Sequence, residues 1–138
     1  RGVRARAVTR RFARELALQT LFSVELGRHE PADALDPVLQ RPDIDEHRSF
    51  VRELVLGTLE RSNELDAVIA PLLQGWTLER LPTVDRLVLR MGIFELRHLP
   101  QTPRAVVINE AVELAKKFST DDSGRFVNGV LSSASPAA

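Results

Sequence analysis

The 138-residue sequence has no cysteine. Disulfide frameworks, thiolate zinc sites and cysteine nucleophiles are thereby excluded, and the absence suits a cytoplasmic protein. No apolar run approaches the roughly 20 residues needed to cross a bilayer, and no basic stretch leads into the apolar core of a secretory signal. The three histidines, His29, His47 and His98, are scattered. Asp33 follows His29 by four residues, but Pro31 lies between them, so no metal site is expected. Glycine-rich phosphate loops are missing, and no serine has a marked base. Asn109, Glu110 and Glu113 form a polar cluster that reads as helix caps or as partners for Lys116 and Lys117. The expectation is a protein without cofactor or metal, and not an enzyme.

Alternation of period two is also missing, as is any repeat of fixed period. Period-3.6 patterns take their place. Residues 1–9 (Arg-Gly-Val-Arg-Ala-Arg-Ala-Val-Thr) read as a basic flexible arm, residues 10–134 as one helical domain, and residues 135–138 as a frayed tail. Thr9 caps a helix with Ala13, Ala17, Leu21 and Val24 on its inner stripe, widened by Phe12, Leu16 and Leu18 and ending near Gly27. A short helix follows between Pro31 and Pro42. Asp45 is expected to cap a longer helix, buried through Phe50, Val51, Leu54, Val55 and Leu59. Asn63 is expected to cap the next, with Leu65, Val68, Ile69 and Leu72 inside and Pro71 ending it. Pro82 suits a first turn before Val84, Leu87, Val88, Met91, Phe94 and Leu96. Thr102-Pro103 restarts the pattern, with Val107, Ala111, Leu114, Ala115 and Phe118 inward. Asp121 or Asp122 caps the last helix, with Phe126, Val127, Val130 and Leu131 buried. Asn128-Gly129 inside that pattern reads as close helix packing. The fold class is all-α, with about seven helices and short connections.

Zero net charge, from 19 basic and 19 acidic residues, hides an asymmetry. Arg1, Arg4, Arg6, Arg10, Arg11 and Arg14 crowd the first fourteen residues without an acid, whereas residues 25–66 hold eleven Asp or Glu against five Arg. A helix N-terminus carries the positive dipole end, so arginines there do not stabilise the helix. Arg10 and Arg14 share a face, and arginine both forks onto phosphate and stacks on bases. RNA or DNA is the implied partner. Phe22 offers a stacking surface if exposed, or core packing if not. The arm lacks the apolar face expected at a lipid interface, so no membrane partner is expected.

Three segments carry a family resemblance. The run Arg10-Arg11-Phe12-Ala13-Arg14-Glu15-Leu16-Ala17-Leu18-Gln19-Thr20-Leu21-Phe22 resembles the first helix of the NusB family of transcription antitermination factors. Val84-Asp85-Arg86-Leu87-Val88-Leu89-Arg90, then Phe94-Glu95-Leu96, is similar to its central helix. Val106 to Phe118, Asp122-Ser123 and Phe126-Val127-Asn128-Gly129-Val130-Leu131 are similar to its closing signature. The resemblance runs from about residue 10 to residue 131 and is weakest over residues 28–48. It implies two small stacked helical bundles. It also implies binding of single-stranded, boxA-like RNA from ribosomal RNA leaders, together with the small-subunit ribosomal protein NusE, in the RNA polymerase antitermination complex. Position by position it places RNA contacts on Arg10, Arg11 and Arg14, and around Asp122, Arg125 and Phe126 at the start of the last helix; the charge of the arm adds Arg4 and Arg6 to the RNA candidates. At the start of the last helix, free backbone N–H groups suit phosphate, and Asp122 is expected to cap the helix. Phe22 joins the RNA candidates. Asp85 and Arg90 are candidates for the protein partner, or else an intrahelical charge network.

Two other readings stand beside it. Similar domains serve as RNA-binding accessory domains of ribosomal RNA methyltransferases. The closing Ser-Ala-Ser-Pro-Ala-Ala favours a stand-alone factor over such a fusion. Segregated opposite charges would also permit a homodimer. Duplex DNA is disfavoured, because no short recognition helix with base-reading Asn or Gln near its start is evident.

Overall fold

The computed structural model describes residues 9–27 and 29–134, and these are all-α: seven α-helices and three 3-10 turns, with no strand among the described residues. They form two compact units, divided between Leu56 and Gly57.

In the first unit, α1 (Arg10–Gly27), α2 (Pro31–Leu39) and a 3-10 turn (Pro42–His47) lead into α3 (Arg48–Glu60). Thr9 caps α1 as its sequence suggests: its Oγ1 accepts from the Phe12 N–H at 3.0 Å. Ala13, Leu16, Ala17, Leu18 and Leu21 are all buried; a leucine so placed contributes on the order of 1.5–3 kcal/mol. Asp45 does not cap α3. The preceding residues wind into the 3-10 turn instead, and Asp45 pairs with Arg48 at 2.9 Å. Arg48 also donates to the carbonyls of Leu39 at 2.7 Å and Arg41 at 3.1 Å, closing the chain reversal after α2.

The second unit holds the end of α3, then α4 (Ser62–Ile69), α5 (Thr83–His98), α6 (Arg104–Phe118) and α7 (Asp121–Ser133). α5 packs on α4, α6 and α7, and α6 packs on α7. Helix α4 starts at Ser62 after Arg61, so Asn63 lies inside its first turn rather than at its cap. Around Pro71 the α-helix gives way to a 3-10 turn. Pro82 and Pro103 each stand one position before a helix, where their fixed φ sets the entry.

Helix α7 is held at both ends. Thr120, not Asp121 or Asp122, is its cap, accepting from the Ser123 N–H at 3.0 Å. At the other end Arg104 Nη2 donates to the carbonyls of Leu131, Ser132 and Ala134 at 3.2, 3.0 and 2.9 Å, meeting acceptors a helix terminus leaves open.

Close packing falls on a different glycine from the one expected. A Cβ at Gly129 would meet nothing within 4 Å, whereas one at Gly57 would lie 2.1 Å from Phe94 Cζ. The two sites should respond oppositely to alanine. In urea unfolding, Gly57→Ala should lose about 1–3 kcal/mol through overpacking, despite alanine's better helix propensity. Gly129→Ala should gain roughly 0.5–1 kcal/mol. Equal effects at the two positions would contradict this packing.

Candidate nucleic-acid interface

The arginines at the start of α1 differ in what they offer. Arg11 is exposed, Arg10 is half-buried, and Arg14 is only 4% exposed. The guanidinium groups of Arg10 and Arg14 lie 3.7 and 5.1 Å from the centroid of the Phe50 ring. Such cation–π contacts contribute from about 0.5 to 2 kcal/mol. Arg14 is therefore partly a structural residue, and Arg11 is the one presented to solvent. Arg4 and Arg6 lie outside the described residues.

Arg41, which no charge run in the sequence singles out, holds its guanidinium 5.5 Å from the Phe12 centroid. It forks onto both oxygens of Asp43, at 3.0 and 2.8 Å. That hydrogen-bonded cation holds the Asp43 carboxyl below its ordinary 3.8, with burial opposing and Coulomb attraction helping. Phe22 is 36% exposed and Leu26, one turn on, 55%, so Phe22 is no core residue.

At the start of α7, the neighbouring elements make two clefts. One, of about 240 Å³, lies between the start of α5 and α7, and Asp122, Ser123 and Phe126 line it with Trp76, Pro82 and Asp85. The other, of about 290 Å³, lies toward α6, where Arg125 and Lys116 face it with Asp121 and Asn128. Asp122 and Phe126 thus come together, while Arg125 points to the neighbouring cleft. Asp122 does not cap the helix; exposed, it pairs with Arg125. In the first turn its charge, with that of Asp121, suits the helix dipole.

Asp85 and Arg90 go separate ways. Asp85 is buried, and its Oδ2 accepts from Ser123 Oγ at 2.9 Å. That hydroxyl also lies 2.9 Å from Ser119 Oγ and 3.1 Å from Thr120 Oγ1. A carboxyl group on α5 thus locks the first turn of α7, a bond that no spacing within one helix could reveal. Arg90 forks onto Asp66 of α4 at 2.7 and 2.9 Å. Trp76, in the loop before α5, is 57% exposed. No helical period singles it out in the sequence, and the signal that marks it is Gly75 beside it, at φ 79°.

The NusB family matches residues 11–136. The chain belongs to the NusB family. Transcription antitermination protein NusB of Geobacillus kaustophilus is 48% identical over 120 residues, covering 87% of this chain and 90% of that protein. A structure of T. maritima NusB superposes with a TM-score of 0.84 at 34% identity, covering 91% of this chain and 89% of that one. A crystal structure of antitermination factors NusB and NusE in complex with dsRNA contains a chain 30% identical to this one. There the TM-score is 0.79, with 89% of this chain and 92% of that one covered. The fold class inferred from periodicity is that of these NusB structures. Among the described residues, no helix of this NusB-family chain is long and apolar enough to cross a membrane.

The Arg41–Asp43 fork yields a pH test. Because the folded Asp43 carboxyl is depressed, its contribution is fully present above the unfolded value and fades as pH falls through the folded one. In Arg41→Gln the Asp43 carboxyl should titrate closer to 3.8, as read by carboxyl NMR. An unchanged midpoint would mean that the fork does not form in solution.

Proposed function

We propose that this chain is a transcription antitermination factor that binds boxA-type ribosomal RNA leader sequence together with the small-subunit ribosomal protein NusE. In this reading it works within the RNA polymerase antitermination complex in the cytoplasm and is a binding protein rather than an enzyme. The observation that carries the reading is the family match over residues 11–136, with antitermination factors as relatives across nearly their whole length. The site chemistry supports it. Arg11 is exposed at the start of α1, and the first turn of α7 presents backbone N–H groups beside Arg125 and Phe126.

The side chains divide the work. Arg11 and Arg125 attract phosphate, while Arg10 and Arg14, laid on Phe50, shape the surface from which Arg11 projects. Phe22 and Phe126 offer faces on which bases stack. Asp122 neutralises part of the positive charge of Arg125 and so moderates non-specific attraction. Asp85 acts from within, by holding the start of α7, and Arg90 keeps α4 against α5. The two serve a partner surface by fixing its backbone. Unpaired RNA is preferred over a duplex, because stacking needs a free base face.

Affinity for a boxA-like RNA and for a scrambled one, with and without the ribosomal protein, tests the reading by fluorescence anisotropy. The boxA-like RNA should bind more tightly, and more so with the partner present. Equal weak binding under all conditions would refute the assignment. Two substitutions separate charge from scaffold. Arg11→Ala should reduce the log–log salt slope by about 0.7 and leave melting unchanged. Arg14→Ala should lower the melting temperature, as loss of a buried side chain does. Unchanged melting in Arg14→Ala would show that its burial contributes nothing.

A further inference from the structure

The cleft between the start of α5 and α7 holds an unmet acceptor. Asp85 is only 4% exposed; Ser123 occupies its Oδ2, but its Oδ1 is buried without any hydrogen-bond partner among the described residues. A buried polar atom left unpaired is costly, and a ligand bringing a donor would relieve that cost. The surroundings bear on what the ligand is. The cleft measures about 240 Å³, and Trp76, Leu81, Pro82 and Phe126 give it mostly apolar walls, with Asp122 and Ser123 beside Asp85. Trp76 is 57% exposed beside Gly75, whose φ is 79°. It stands in a loop between two short 3-10 turns and lines the cleft together with Asp85.

We propose that this cleft is a pocket for one unpaired guanine base, with Asp85 reading its Watson–Crick edge and Trp76 stacking on its face. The inference rests on the RNA-binding reading above. A carboxylate is acceptor-only, so the open Oδ1 suits an edge that brings donors to it without an acceptor between them. Guanine presents N1–H and the N2 amino group side by side. Adenine and cytosine set an acceptor nitrogen beside their amino group, and uracil offers one N–H between two carbonyls. A site built to receive a donor rejects analogues lacking it, because its own polar group is then left unpaired. RNA is favoured over a protein side chain because two aromatic side chains, Trp76 and Phe126, line the same cleft and offer faces on which bases stack.

Trp76 is the single tryptophan of the chain, so its fluorescence reports on the cleft directly. Guanosine monophosphate should quench it saturably, whereas uridine and cytidine monophosphates at equal concentration should not. In a short unpaired RNA with one guanine, replacement of that guanine by inosine, which lacks the amino group, should weaken binding about tenfold, the equivalent of ~1.4 kcal/mol. Asp85→Asn, an isosteric change, should abolish the distinction between guanine and inosine. Trp76→Ala, at an exposed position, should weaken binding of both RNAs while leaving helix content intact. RNA binding of normal strength that ignores guanine, with a silent Trp76, would overturn the pocket and leave the RNA-binding reading standing. Absence of RNA binding altogether would overturn both. Saturable quenching by an arginine amide but not by guanosine monophosphate would assign the cleft to a protein side chain and overturn the proposal.

Discussion

A single buried hydrogen bond, from Ser123 Oγ to Asp85 Oδ2, connects sequence positions 38 apart and fixes where α7 begins. The second unit's chemistry follows from that bond. It sets the register of the first turn against α5, and so places Asp122 and Phe126 on the cleft shared with Asp85 and Arg125 on the cleft toward α6. Thr120 caps the same turn, and Arg104 collects the carbonyls at the far end. With both termini tied, the side chains of α7 project from a rigid element, a condition for presenting recognition groups with small positional error. A carboxyl group in a mostly apolar setting is costly to bury unless it is bonded. Here one oxygen is satisfied by Ser123 and the other is buried without a hydrogen-bond partner among the described residues.

The first unit solves a different problem. Several arginines close together repel one another, and at a helix start the dipole opposes them as well. The structure relieves this by laying Arg10 and Arg14 on the Phe50 ring and by pinning Arg41 on Asp43 near Phe12. Much of the arginine charge is thus absorbed into packing. Arg11 is the exposed member of the three, so a count of arginines overstates how much of this segment's guanidinium surface meets solvent.

Much of the fold was legible because the helices bury long stripes of regular period. Ala13, Ala17 and Leu21, or Leu87, Val88 and Met91, announce their burial by spacing alone, and Thr9 announces a cap by residue type. Local competition defeated the finer expectations. Thr120 displaced two aspartates as cap, and the 3-10 turn displaced Asp45. Gly129 faces open space while Gly57 takes the tight contact with Phe94, because a glycine in a sequence does not reveal what lies opposite it. The site was legible only in part for the same reason. The arginines stand out as charge, yet the burial of Arg14 depends on Phe50, 36 positions away in the sequence. The unmet oxygen of Asp85 depends on a loop tryptophan and a serine of another helix, and neither is within reach of a periodicity argument.

The proposed RNA contacts lie at the start of α1 and at the start of α7. Backbone amide NMR of the chain, titrated with a boxA-like RNA and with its scrambled counterpart, tests that claim most directly. Shifts should concentrate at residues 10–14 and 120–126 with the boxA-like RNA, and should be weak, salt-sensitive and confined to residues 10–14 with the scrambled one. Identical maps for the two RNAs, or shifts centred away from both helix starts, would contradict it.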